Sequence, residues 1–218
     1  MENTEPDWAL IVAGGRPVRP AVLDRIGEPA WIVAADSGLD HAYELGLEPD
    51  LVIGDMDSVS EAGLARARAN GADIERYPVG KDATDLELAI DAVAAAGFAR
   101  ATIIGGTGGR LSHTMANALV LTVDRGIRLE WITSHARISA LRSGQTGTFS
   151  PREGTLLSVV PIGGAATCSS TGLRWPLDPT ELVPGSTRGI SNEIVAADAA
   201  TVSVTAGCVL LIHERNQS

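Results

Sequence analysis

From about residue 8 to residue 133 the chain alternates short apolar runs with stretches of helical period. The apolar runs 9–13, 31–35, 51–53, 74–77, 101–104 and 128–132 have the length of buried strands. Between them, 39–45, 61–69, 85–96 and 114–124 read as helices. The third of these puts Leu86, Ala89, Ile90, Val93 and Ala96 on one face, opens at the capping sequence Thr84-Asp85-Leu86-Glu87 and stops at Gly97. Strand–helix alternation of this kind predicts a mainly parallel sheet covered by helices. The pattern changes after Ser134. Residues 136–218 carry β-rich runs at 137–141, 156–161, 201–205 and 209–213, separated by Gly, Pro, Ser and Thr, with no helical period. That predicts a small all-β sandwich or barrel. The expected organisation is an α/β domain over 1–134 and an all-β domain over 135–218.

Polar residues are most informative where the apolar runs end. Asp36 follows the second run, Asp55 and Asp57 the third, and Asp82 and Asp85 come soon after the fourth. In a parallel α/β sheet ligands bind at the carboxyl ends of the strands. Carboxylates gathered there repel one another unless a cation lies between them. Hard oxygen ligands suit Mg²⁺, which keeps waters and binds phosphates as well. Each aspartate taken alone is better explained as a turn or cap residue; five at successive run ends are not. Asp55 and Asp57, two apart in a segment read as extended, are expected to face the same way.

Two glycine-rich stretches accompany the acids. Gly14-Gly15-Arg16 follows the first run, and Gly105-Gly106-Thr107-Gly108-Gly109-Arg110 follows the fifth, with His113 at its exit. Either can be an ordinary turn. The second also leads into a helix, where backbone amides and Arg110 favour an anion. No GxxxxGK[ST] loop is present, so a P-loop kinase is excluded.

Composition narrows the class. With 44% hydrophobic and 20% charged residues the chain can bury a core. A net charge of −10 argues against nucleic acid or an anionic membrane as partner, while a metal can still bring in a phosphorylated ligand. Cys168 and Cys208 have neither CxxC spacing nor a histidine cluster and read as small buried hydrophobes. The acidic start MENTEPDWAL is unlike a secretory signal, and no stretch reaches the length of a membrane span, so a cytoplasmic protein is expected.

The segments ADSGLDHAYELGLEPDLVIGDMDS, KDATDLELA and GGTGGRLSHTMAN, followed by TGLRWPL and GISNE in the second half, resemble the thiamine pyrophosphokinase (thiamin diphosphokinase) family over essentially the whole chain. The resemblance implies an N-terminal α/β nucleotide-binding domain, a C-terminal β-sandwich, and a homodimer with sites between subunits. It implies transfer of the β,γ-pyrophosphoryl group of ATP to the hydroxyl of thiamine, giving thiamine diphosphate and AMP. By motif, Asp55, Asp57 and Asp85 are the implied Mg²⁺ ligands, and Asp36 and Asp82 complete the acidic cluster. Lys81, Thr84, Arg110 and His113 are implied around the nucleotide, with Gly15, Ser58 and Gly109 beside them. Trp175, Ser191 and Asn192 are implied to hold thiamine. Trp175 suits stacking on a flat aromatic cation, although a tryptophan in a β domain is more often core. A carboxylate is expected to take the hydroxyl proton, with none singled out. One departure stands out: Ser112 occupies the position before His113 where the family usually has Asp. Two rivals stand beside this reading: a pyrophosphokinase for another hydroxymethyl heterocycle such as a pterin, with the same acidic cluster, and a non-catalytic sensor of thiamine or nucleotide, which loss of a metal-binding Asp would signal. The TGLRWPL and GISNE segments favour thiamine, and no implied metal-binding Asp is missing.

Overall fold

A computed structural model describes residues 8–152 and 154–214. The acidic start of the chain lies mostly in residues 1–7, outside the described residues. The chain divides into two compact units, Met1–Val120 with Asp124–Ser134, and Leu121–Val123 with His135–Ser218.

In the first unit six parallel strands stand in the order β6-β5-β1-β2-β3-β4. They are β1 (Trp8–Ala13), β2 (Trp31–Ala35), β3 (Leu51–Gly54), β4 (Asp73–Arg76), β5 (Arg100–Ile104) and β6 (Arg128–Ile132). Every residue of β1 and of β3 is buried, which is why both read as unbroken apolar runs rather than as alternation. β4, at the sheet edge, is polar and largely exposed, which discourages edge pairing. Four helices connect the strands: α1 (Gly38–Glu44), α2 (Glu61–Ala69), α3 (Asp85–Ala95) and α4 (Leu111–Val120). Ala42 of α1 packs with Leu10 and Val12, and Leu39 packs with Val52 and with Leu64 and Ala67 of α2. α3 buries Leu86, Ala89, Ile90 and Val93 and packs across β1, β2 and β3. The strands step outward from β1 to β4, then the chain returns to β5 on the other side of β1. Right-handed crossovers running in opposite directions put α3 on the face opposite α2. The reversal between β1 and β5 is the switch point at which such sheets open a crevice.

The fourth helix starts three residues before the expected 114 and ends at Val120, not 124. The carbonyl of Arg110 takes the first helical amides, from His113 and Thr114. α4 buries no residue, so no core-facing stripe marks its limits in the sequence.

The second unit holds two antiparallel sheets. One contains β12 (Asn192–Glu193), β9 (Leu156–Pro161), β14 (Cys208–Glu214) and β7 (Ala136–Arg142), in that order. The other contains β11 (Thr180–Leu182), β10 (Ala166–Thr171), β13 (Ala200–Ala206) and β8 (Thr146–Phe149). Leu157, Val159, Val209 and Leu211 of the first share a core with Phe149, Cys168, Leu182, Val202 and Val204 of the second. Both cysteines are free: Cys168 is buried in that core and Cys208 is half-buried. Among the described residues no helix is long and apolar enough to cross a membrane.

Candidate active site

The carboxyl ends of β1, β2, β3 and β5 open into a cleft of about 760 Å³ within the first unit. Its wall includes Asp36 and Ser37 after β2, Asp55, Asp57 and Ser58 after β3, and Lys81, Thr84 and Asp85 leading into α3. Gly15 comes from the first glycine loop, and Gly109, Arg110 and His113 from the second. Asp82 is exposed and does not line the cleft. The turn that points Lys81 and Asp85 inward sends the intervening Asp82 out to solvent. Ser112 is likewise exposed and outside the wall.

Carboxylate oxygens of Asp36, Asp55 and Asp57 can lie within 4.8 Å of one another. Segment 55–57 is not extended, as its alternation suggested, but a loop in which Met56 has φ 65°. A non-glycine residue there costs on the order of 1–3 kcal/mol. Burial of the Met56 side chain beside Leu39, Val52 and Leu64 offsets that cost. With Met56 turned into the core, Asp55 and Asp57 are left at the cleft. Asp36 is also left-handed, φ 47°, and its amide donates to Ile53 O at 2.9 Å, tying the ends of β2 and β3 together.

The carboxylates differ in environment. Burial pushes the Asp36 carboxyl above its ordinary range, with Asp85, Asp55 and Asp57 adding to the effect against a hydrogen bond from the Ser37 amide. Its Oδ1 is buried without a hydrogen-bond partner. The Asp55 carboxyl is held below its usual range by the Asp57 amide, which donates to Oδ1 at 3.2 Å, and then by Lys81, whose Nζ lies 3.2 Å from Oδ2. Lys81 Nζ is also 2.8 Å from Asp85 Oδ1. Burial works against the Lys81 charge, but hydrogen bonds to Asp85 and Asp55 hold its pKa above the usual lysine value. Asp85, implied as a metal ligand, thus faces the same ammonium as Asp55, and Asp36 joins Asp55 and Asp57 in a carboxylate triad. Thr84 caps α3 through Glu87 N at 3.2 Å. The reciprocal half of the expected capping box is diverted, because Glu87 pairs with Arg125 at 2.8 Å.

The glycine loops are fastened to each other. Gly106 N donates to Gly14 O at 2.7 Å and Arg16 N to Thr107 O at 2.5 Å. Gly15 has φ 97°, and a Cβ there would fall 2.5 Å from Thr107 O, so only glycine permits this approach. The carbonyls of Gly105 and Gly106 are drawn to Trp131 Nε1 (2.8 Å) and Asn117 Nδ2 (2.9 Å). Asn117 ends the segment GGTGGRLSHTMAN with nothing in the sequence to mark it as a loop anchor, and buried Trp131 reads simply as core.

In the second unit Trp175 is 57% exposed, which excludes a core role. Asn192 is 3% exposed and spends its amide on the backbone: Oδ1 accepts from Trp175 N (3.1 Å) and Glu193 N (2.9 Å), and Nδ2 donates to Trp175 O (2.7 Å). Asn192, implied by the resemblance to hold thiamine, thus fixes the backbone of Trp175. Ser191 is exposed, has φ 52°, and donates its amide to Ser158 Oγ at 2.9 Å. Arg174 lies 5.9 Å from the Trp175 ring centroid and pairs with Glu193 at 2.6 Å, so its charge is locally balanced.

Comparison with known proteins finds one family along the chain. Residues 24–130 match the model of the thiamin pyrophosphokinase catalytic domain, and residues 146–209 that of the thiamin pyrophosphokinase vitamin B1 binding domain. The thiamine pyrophosphokinase of Bacillus subtilis is 28% identical over 93% of this chain and 96% of its own. Thiamine pyrophosphokinase 1 of Oryza sativa subsp. japonica is 28% identical over 99% of this chain and 90% of its own. The crystal structure of the Bacillus subtilis enzyme matches with a TM-score of 0.85 at 26% identity, over 96% of this chain and all of that one. The fold and these relatives define a transferase of the kinase class. More particularly, the chain belongs to the thiamin pyrophosphokinase family.

Proposed function

We propose that the protein transfers the pyrophosphoryl group of ATP to the hydroxyl of thiamine, with Mg²⁺ bound in the acidic cleft, giving thiamine diphosphate and AMP. The observation that carries the reading is the approach of Asp36, Asp55 and Asp57 oxygens to within 4.8 Å beside fastened glycine loops. The residues fit a hard divalent cation: three carboxylates converge, and Asp36 Oδ1 is buried with no hydrogen-bond partner. Asp36, Asp55 and Asp57 would hold it, with Asp85 adjacent. Bound there, Mg²⁺ would neutralise phosphate charge. Lys81 and Arg110 supply fixed positive charge along the same wall. Phosphoryl transfer depends mainly on such positioning and neutralisation. The glycine loops allow close approach of backbone to a phosphate, and His113 and Thr84 flank it. In the second unit Trp175 offers an exposed ring, held by Asn192, for the flat cationic rings of thiamine.

The family's relatives, named for thiamine, favour it over a pterin, and the complete acidic set favours an enzyme over a sensor. The direct test supplies ATP and Mg²⁺ with either thiamine or a hydroxymethylpterin. Thiamine diphosphate is expected to form only with thiamine and only with Mg²⁺. Turnover of the pterin alone would overturn the substrate assignment. The same reading includes a homodimer in the cytoplasm, where ATP is the available donor. It is supported by α4, which leaves Leu111, Met115 and Leu119 at 74%, 58% and 45% exposure, a row at helical spacing. Sedimentation of the active enzyme should give twice the chain mass; a fully active monomer would contradict it.

A further inference from the structure

We infer that Asp40 and Ser60 form a clasp that sets the spacing between Asp36 and the Asp55–Asp57 loop, which makes Asp40 a positioning residue for the metal-binding end of the site. The inference rests on the reading of the cleft just given. Asp36 and the Asp55–Asp57 pair come from different strands, so their separation must be fixed by contacts between the segments that follow those strands. Upstream, Asp36 N is bonded to Ile53 O at 2.9 Å. Downstream, the loop after β3 has no strand partner until α2 begins.

Asp40 supplies the downstream tie. It sits in the first turn of α1, the helix that starts directly after Asp36 and Ser37, and Leu39 N is bonded to Asp36 O at 3.0 Å. Its Oδ2 accepts from Ser60 N at 3.0 Å and its Oδ1 from Ser60 Oγ at 2.5 Å. Ser60 Oγ in turn accepts from Gly63 N at 2.9 Å, capping α2. A Cβ at Gly63 would stand 2.7 Å from Asp40 Oδ1 and 2.9 Å from Ser60 Oγ, so α2 is seated directly on the clasp. The chain thus closes a ring: Asp36, α1, Asp40, Ser60, back through the loop to Asp57 and Asp55, and across β3 to Asp36. Ser60 alone caps α2. Asp40 takes the Ser60 amide that an acid at the third helical position would otherwise accept, a place held here by Gly63, and because Asp40 comes from another helix it also locks the loop to the segment that carries Asp36. Groups hydrogen-bonded directly to metal ligands change metal affinity or activity by about 10–100-fold, and Asp40, acting one step further out through Ser60, is placed at the lower end of that range.

The test measures Mn²⁺ binding by electron paramagnetic resonance, with thiamine KM and thermal melting, for the wild type, Asp40→Ala, Ser60→Ala and Ser60→Thr. Asp40→Ala is expected to weaken Mn²⁺ binding about tenfold and to raise the Mg²⁺ needed for half-maximal activity similarly, with thiamine KM unchanged. Ser60→Ala should show the same direction, and Ser60→Thr, which keeps hydroxyl and amide, should restore wild-type Mn²⁺ affinity. A folded Asp40→Ala protein with wild-type Mn²⁺ affinity overturns the clasp. So does a loss in which Mn²⁺ affinity, thiamine KM and melting temperature all worsen together, the mark of a helix cap only. If Asp40→Ala does not fold, the Ser60→Ala and Ser60→Thr pair decides: equal Mn²⁺ affinity in the two overturns the proposal, and rescue by threonine supports it. A wild-type protein that binds no Mn²⁺ overturns the metal reading itself, an outcome distinct from a clasp that fails in a metal-binding protein.

Discussion

Asp57→Asn lowers turnover by about 10²- to 10³-fold, the range for removing one group that stabilises transition-state charge, while leaving the metal-free protein at least as heat-stable as before. Asp57 is exposed, and its Oδ1 accepts from Ser58 Oγ at 2.7 Å, a bond an amide oxygen can also accept. What the substitution removes is one negative charge from a cluster that includes Asp36 and Asp55, and like charges at short range disfavour one another. Asp36 gives the same argument a pH dependence. Its folded-state pKa is raised, so the folded protein holds that proton more tightly than the unfolded chain. In the absence of metal, the Asp36 contribution to stability, read as the difference between wild type and Asp36→Asn, should therefore be present at low pH and lost as pH climbs past its titration, opposite in sign to that of Asp55, whose carboxyl is lowered. Mg²⁺ should suppress this dependence by stabilising the charged form. Thermal melts from acid to neutral pH, with and without Mg²⁺, check both effects. A large fall in melting temperature with turnover intact would make Asp57 a turn residue only.

Trp175→Ala raises the KM for thiamine roughly five- to a hundredfold and leaves that for ATP nearly unchanged. Aromatic stacking with a cationic contribution is worth about 1–3 kcal/mol, which converts to that range of affinity. Trp175→Phe should recover much of the loss. The 57% exposure of Trp175 means that truncation opens no cavity. Trp131, 1% exposed and bonded to Gly105 O, is the natural contrast: Trp131→Ala should cost about 3–5 kcal/mol of stability. Steady-state kinetics beside thermal melts separate the two tryptophans. An unchanged thiamine KM in well-folded Trp175→Ala protein would remove Trp175 from the site.

The sequence made the first unit legible because its strands are buried on both faces and its principal helix buries a regular stripe. The limits expected for β2, α2 and β6 coincide with those observed. Asp36, Asp55 and Asp57 were readable because each follows such a run. Four strands of the second unit went unread for a specific reason. β8 (TGTF) and β10 (ATCSST) have the composition of loops, yet they bury Phe149 and Cys168 on one face and pair hydroxyls on the other. Thr171 bonds Thr201 at 2.7 Å, and Thr146 bonds Ser203 at 2.8 Å. The left-handed turn at Met56 was equally hidden, since methionine carries no turn signal, and so was the commitment of Asn192 to Trp175. Asp40 and Ser60 are twenty positions apart, and only the packing of α1 beside α2 brings them together.

The central claim is that two phosphoryl groups move as one unit from the nucleotide held in this cleft. ATP labelled with ³²P at the β position, incubated with thiamine, Mg²⁺ and the protein, tests it directly. The account predicts that the label passes into thiamine diphosphate and that the nucleotide product is unlabelled AMP. Label retained in ADP, with thiamine monophosphate as the other product, would contradict it.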